Sequence, residues 1–167
     1  MDEVENTRIV KAEKETSIQY LERMKEKGYL FHGSGSPMPL TRLEPQQASD
    51  TNTEWNADTA VYASGEPVWS TIFALYKGHD PWRTMVTTDE NGKIKSITAY
   101  MPETYKEQLP QERGYVYILP SEGFERENSK SAQYKSKQSV EPISTVEVNI
   151  QDYLEMGGKV EWTKDKL

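Results

Sequence analysis

Apolar positions along this chain change their spacing several times, and each change marks an element. From about Thr7 to Lys27 the residues favour helix, with Val10, Ser17, Leu21 and Met24 roughly on one face. Gly28 follows, where a helix commonly stops. Tyr29-Leu30-Phe31-His32 is a short apolar run that breaks into Gly33-Ser34-Gly35-Ser36, the pattern of a buried strand opening into a loop. Residues 33–58 are rich in Gly, Pro, Ser, Asn and Asp and predict a long loop, a kind of segment that commonly carries function. Thr59–Ala63 predicts a second short strand. Pro67 then opens a helix whose apolar residues Val68, Ile72, Leu75 and Tyr76 recur at helical spacing, with Gly78 at its end.

The second half alternates more than it spirals. Thr84–Thr88 and Lys93–Tyr100 flank Asn91-Gly92, a dipeptide suited to a tight hairpin turn. Tyr115–Leu119 predicts a buried strand, residues 121–139 are polar, and Val146, Val148 and Ile150 alternate with Glu147 and Asn149 as in a half-buried strand. Val160-Glu161-Trp162 predicts a last edge strand. The sum is an α+β fold with helices packed on antiparallel strands. The expected organisation is one domain, with residues 1–28 as an N-terminal helical segment and 29–167 as the main body.

Composition narrows the function classes. A chain of 167 residues with 35% hydrophobic and 10% aromatic content can build one core, and none of its apolar runs reaches the ~20 residues of a membrane-spanning helix. The net charge of -7 disfavours a dedicated binder of nucleic-acid backbones. There is no cysteine, which excludes disulfides, thiolate catalysis and Cys-zinc sites, and only His32 and His79 offer imidazole, so no metal site is expected. The polar start MDEVENTRIVK lacks the layout of a secretory leader, and a cytoplasmic protein is expected.

Three places combine a strand end with polar groups: Phe31-His32-Gly33-Ser34, Val61-Tyr62-Ala63-Ser64 running into the Pro67 helix, and Gln133-Tyr134-Lys135-Ser136. A histidine followed by glycine suits a cleft, because glycine lets another group approach the backbone. A tyrosine there offers a ring face to a flat heterocycle, and Ser64 offers a cap or a hydroxyl contact. Each residue taken alone also has a plain structural reading, as a satisfied hydrogen-bonder or a rim aromatic.

The order of these places resembles the ADP-ribosyltransferase fold. Leu30-Phe31-His32-Gly33-Ser34, Leu40-x-x-Leu43-x-Pro45 and Ala60-Val61-Tyr62-Ala63-Ser64 before a helix are similar to its His-Tyr-Glu branch, which includes diphtheria-toxin-like enzymes and poly-ADP-ribose polymerases. Gly114–Leu119, Phe124, Gln133-Tyr134-x-Ser136 and Pro142-Ile143 resemble the later strands, so the likeness spans about residues 29–154. It implies a split antiparallel sheet with flanking helices and NAD as co-substrate. His32 would bond the adenosine ribose, Gly33 the nicotinamide amide, and Tyr62 would stack on the nicotinamide ring. Ser34, Ala63 and Ser64 would complete the pocket, with the loop 34–58 folded over the cofactor. His32, Tyr62 and Gln133 would form the catalytic set.

One position departs from that pattern. Where the family carries a glutamate against the 2′-hydroxyl of the nicotinamide ribose, this chain has Gln133, and Ser131 stands two residues before it; Glu127 and Glu141 are the nearest alternative carboxylates. Breaking the nicotinamide–ribose bond develops positive charge on the sugar, as in glycoside cleavage. Exchanging a carboxylate for a neutral amide at such a point typically costs about 100- to 1000-fold in rate. The sequence therefore supports three functions: an ADP-ribosyltransferase acting on a protein or nucleic-acid acceptor, a degenerate module that holds NAD or ADP-ribose without turnover, and a protein-interaction domain with no nucleotide site.

Overall fold

The computed structural model describes residues 15–47, 58–76 and 82–164. In chain order the elements are α1 (Ser17–Glu26), β1 (Leu30–Ser34), β2 (Gln46–Gln47), β3 (Thr59–Ser64), α2 (Pro67–Tyr76), β4 (Arg83–Thr88), β5 (Ile94–Pro102), β6 (Gly114–Leu119), β7 (Glu125–Arg126), β8 (Gln133–Ser136), β9 (Ser144–Val148), α3 (Ile150–Glu155) and β10 (Lys159–Thr163), with two 3-10 turns between β5 and β6. The fold is α+β. Among the described residues one sheet runs β7-β8-β3-β1-β6-β9 with β2 attached to β3, entirely antiparallel; a smaller sheet runs β10-β5-β4.

The helices lie between the two sheets. α1 places Tyr20, Leu21 and Met24 against Phe31, Val116, Ile118, Val146 and Val148 of the larger sheet. α2 turns Val68, Ile72 and Leu75 the other way, onto Ile97, Ala99 and Met101 of the smaller sheet and Tyr153 of α3. A third cluster fills the opposite face of the larger sheet: Leu30, Val61, Ala63, Tyr117 and Leu119, covered by Leu43 from the segment after β1. That segment is held by a Leu43–Val140 backbone bridge and by the Leu40 amide, which donates to the Tyr117 hydroxyl at 2.8 Å.

Several boundaries differ from the sequence expectation. The first helix begins at Ser17 because Thr16 caps it, its side chain accepting from the Gln19 amide while the Gln19 side chain accepts from the Thr16 amide. Residues 7–14, with Val10, lie outside the described residues, as do Gly78 and His79. β1 continues through Gly33 and Ser34, which pair with Val116 and Tyr115 of β6. Ile150 leaves the β alternation and starts α3, because Asn149 caps that helix with a reciprocal bond to Asp152. The polar stretch 121–139 holds the β7–β8 hairpin. The smaller sheet is not purely antiparallel: β10 is an edge strand as expected, but it runs parallel to β5. The Asn91-Gly92 turn forms, with Gly92 at φ 84 and the Asp89 carboxylate accepting from the Asn91 and Lys93 amides.

Candidate functional site

The larger sheet is interrupted at its centre. β1 and β3 share one backbone pair, Phe31 opposite Ser64, and β3 is then taken up by β2 at Ala60 and Thr59. Between these points, residues 32–34 of β1 and 61–63 of β3 face each other without a ladder. His32 bridges this gap: its Nδ1 lies 2.5 Å from the Tyr62 carbonyl oxygen. A carbonyl only accepts, so Nδ1 carries the proton and Nε2 presents a lone pair. Loss of solvation pushes the His32 imidazole below its ordinary value, with the Tyr62 carbonyl opposing in part. The ring is therefore neutral at physiological pH and suited to accept a hydroxyl proton at Nε2.

This assignment has a pH signature. An unfolded histidine binds a proton below about pH 6.5, whereas His32 resists it, so the unfolded chain binds more protons in that window. Stability should then fall as pH drops from about 6.5 toward the depressed value of His32, and the loss should stop below it. We expect the urea-midpoint difference between wild type and His32→Gln to shrink between pH 7.5 and 5.5. A difference that stays constant over that range removes the buried neutral imidazole from the account.

Strand alternation divides the named side chains between the two faces of the sheet. Leu30, Val61, Ala63 and Tyr117 share one face, and His32 points to that side, its ring 6.3 Å from the ring of Tyr117. Tyr62, Ser64 and Gln133 alternate onto the other face, where α2 lies; Ser64 pairs with Gln133 and Tyr62 with Lys135 across β3 and β8. The structure thus places Tyr62, Ser64 and Gln133 on one face and the His32 side chain on the other, bonded to the Tyr62 backbone carbonyl. Ala63 faces into the third core cluster. The Ser64 hydroxyl accepts from the Glu66 amide at 2.9 Å and so organises the approach to α2.

Gly33 has a second role that the sequence alone did not indicate. A Cβ there would stand 1.8 Å from the Ser70 carbonyl oxygen and 2.8 Å from the Ala74 nitrogen. The space that glycine leaves on that side is taken by α2, not by an open cleft. The Ser70 hydroxyl also donates to the Phe31 carbonyl at 2.9 Å, seating the helix on β1.

Around Tyr62 the electrostatics are fixed by a buried cation. Lys135, 6% exposed, lies 2.8 Å from the Asp58 carboxylate, and Lys137 is 3.6 Å from the same oxygen. The Lys135 hydrogen bond above all, with the nearby Lys137, holds the Asp58 carboxyl below its ordinary range. The Tyr62 hydroxyl donates to the Asp58 carbonyl at 2.6 Å, and burial pushes that phenol upward, so it remains a protonated donor.

Gln133 sits in a polar cluster at the β7–β8 turn. Its side-chain nitrogen donates to Glu127 Oε1 at 3.1 Å, the Ser131 hydroxyl donates to the same oxygen at 2.7 Å, and the Gln133 amide donates to Ser131 Oγ at 3.0 Å. Arg126 braces this turn, bonding the Ser131 carbonyl at 2.9 Å and the Asn91 carbonyl at 3.0 Å. Glu141 lies elsewhere, 3.1 Å from Arg42. Phe73 is a further candidate that helical spacing passed over: it is 47% exposed on a largely buried helix and stacks on Trp69 at 6.4 Å. Its place off the Val68-Ile72-Leu75 stripe is the signal that marks it.

Among the described residues, the two following cavities are lined by neither His32, Tyr62 nor Gln133. One of about 490 Å³ lies between Pro120–Glu125 and Lys135–Glu141, and one of about 150 Å³ lies between α1, α2 and β5. Residues 48–57 of the expected cofactor loop are outside the described residues. Among the described residues no three His, Cys, Asp or Glu side chains gather within range of a metal ion, and no helix is long and apolar enough to cross a membrane. No family model, curated protein or solved structure matches this chain.

Proposed function

We propose that this protein is an NAD-dependent ADP-ribosyltransferase built on an ADP-ribosyltransferase-like split sheet. The observation that carries the reading is the interrupted β1–β3 ladder closed by the bond from His32 to the Tyr62 carbonyl. What supports the reading is the grouping of an imidazole on one face of the sheet, bonded to the Tyr62 carbonyl, with the Tyr62 ring and the Gln133 carboxamide on the other face. In this reading NAD would meet His32 at its adenosine ribose, Tyr62 at its nicotinamide ring and Gln133 at its nicotinamide ribose. In the reaction the bond from the ribose to nicotinamide nitrogen breaks, its electron pair leaves with the now neutral nicotinamide, and the sugar becomes cationic. A nucleophile of the protein or nucleic-acid acceptor then bonds to that carbon and gives up its proton to solvent.

The test is release of nicotinamide from NAD together with calorimetric binding of NAD and ADP-ribose. Release that His32→Ala and Tyr62→Ala both remove is the expected result. Failure to bind either nucleotide overturns the reading. A second reading, a module that holds NAD without turnover, is favoured by one observation, the neutral carboxamide at position 133; binding without release from any acceptor would select it.

A further inference from the structure

The proposed reaction needs negative charge near the nicotinamide ribose, and the residue at the expected position is neutral. The missing carboxylate is next door. Glu127 Oε1 accepts hydrogen bonds from the Gln133 side-chain nitrogen at 3.1 Å and from the Ser131 hydroxyl at 2.7 Å. The Glu127 amide in turn donates to the Gln133 carbonyl at 3.0 Å. We propose that Glu127 is a positioning residue that makes Gln133 present its carboxamide oxygen as the acceptor of the site, an inference resting on the ADP-ribosyltransferase reading.

The argument is one of hydrogen-bond direction. A carboxylate accepts and cannot donate, so the Gln133 amide must turn its nitrogen toward Glu127. That orientation fixes the opposite end of the carboxamide, Oε1, as the group presented away from the turn. An acceptor oxygen there offers a ribose hydroxyl the same bond that a glutamate would. The charge of Glu127 also polarises the amide to which it is bonded, strengthening its oxygen as an acceptor. With a neutral partner at position 127 the amide could present either end, and half of its orientations would offer a donor where the ribose hydroxyl needs an acceptor.

The turn is built to hold this arrangement. The Lys130 amide donates to the Asn128 side chain at 2.8 Å and the Ser131 amide to the Asn128 carbonyl at 3.1 Å. Arg126 ties Ser131 to the Asn91 hairpin, and its guanidinium lies 5.7 Å over the Tyr134 ring. The Thr88 hydroxyl donates to the Lys130 carbonyl at 3.1 Å. Thus the smaller sheet's hairpin pins the loop that carries Glu127 beside β8.

The experiment uses the full chain and compares nicotinamide release and NAD affinity for wild type, Glu127→Gln, and the double variant Glu127→Gln with Gln133→Glu. The double variant exchanges the two groups, keeping one carboxylate, one carboxamide and the net charge. Glu127→Gln should lower kcat by about 100-fold with NAD affinity and melting temperature little changed, and the exchange should recover most of that loss. A role confined to bracing the turn would instead lower the melting temperature of Glu127→Gln and leave its kcat at the wild-type level. Wild-type release with an unchanged kcat in Glu127→Gln overturns this inference and leaves the transferase reading standing. Absence of release from wild type overturns both.

Discussion

Gly33→Ala should cost on the order of 3–5 kcal/mol of folding stability. The reason is backbone against backbone: the new methyl would lie 1.8 Å from the Ser70 carbonyl oxygen in the middle of α2. No side-chain rotation relieves such a clash, so α2 must lift from β1. Lifting it breaks the Ser70–Phe31 bond and opens both cores that the helix joins, since Ala74 belongs to one and Val68, Ile72 and Leu75 to the other. Gly114 on the neighbouring strand is under the same constraint, with a Cβ 2.2 Å from the Ala74 carbonyl oxygen. The two glycines together form the seat of the helix. Gly65→Ala is the control, because the nearest atom to its added Cβ is Tyr134 Cε1 at an ordinary 3.5 Å; it should stay within about 1 kcal/mol of wild type. Urea midpoints at fixed pH measure all three. A Gly33→Ala protein as stable as the Gly65→Ala protein would mean that α2 does not rest on β1 at this distance.

This seat explains what the sequence did and did not disclose. Phe31-His32-Gly33-Ser34 marks a strand end with a glycine, and either a ligand or a helix can claim the space beside that glycine. Only tertiary packing decides, and here α2 occupies the Cβ side. The apolar stripe Val68-Ile72-Leu75 and the Asn91-Gly92 turn were readable because their signals are local. β8 was marked only as a polar strand end: Gln133-Tyr134-Lys135-Ser136 lacks apolar alternation because its buried lysine is neutralised by Asp58, 77 positions earlier in the chain. The parallel pairing of β10 with β5 depends on α3 reversing the chain, which the alternation through Ile150 obscured.

The candidate site shows the same division. His32, Tyr62 and Gln133 could be named from their order, and the bond from His32 to Tyr62 supports grouping the first two. That His32 and the Tyr62 ring point to opposite faces follows from strand parity across a single backbone pair, Phe31 with Ser64, which no spacing in the sequence encodes. The partnership of Gln133 with Glu127 depends on a hairpin only two residues wide at β7, too short to leave a periodic trace.

On the proposed ADP-ribosyltransferase reading, Tyr62→Ala should weaken NAD binding by about 5- to 150-fold, the effect of removing one aromatic stacking partner worth about 1–3 kcal/mol. The substitution is informative because Tyr62 acts in two separable ways. Its carbonyl oxygen holds His32, and that contact survives any side-chain change. Its ring and hydroxyl lie on the other face, the hydroxyl donating to the Asp58 carbonyl. Tyr62→Phe keeps the ring and loses one hydrogen bond, with a stability cost of about 1 kcal/mol. If the ring stacks on nicotinamide, Tyr62→Phe retains nearly full affinity for NAD while Tyr62→Ala loses it, and ADP-ribose, which has no nicotinamide, binds both variants alike. If ADP-ribose affinity falls with NAD affinity in Tyr62→Ala, the ring serves the sheet and not the nicotinamide, and the ligand must be placed on the His32 face instead. Calorimetry with the two nucleotides separates these outcomes, because the stacking energy can be lost only by the ligand that carries the second ring.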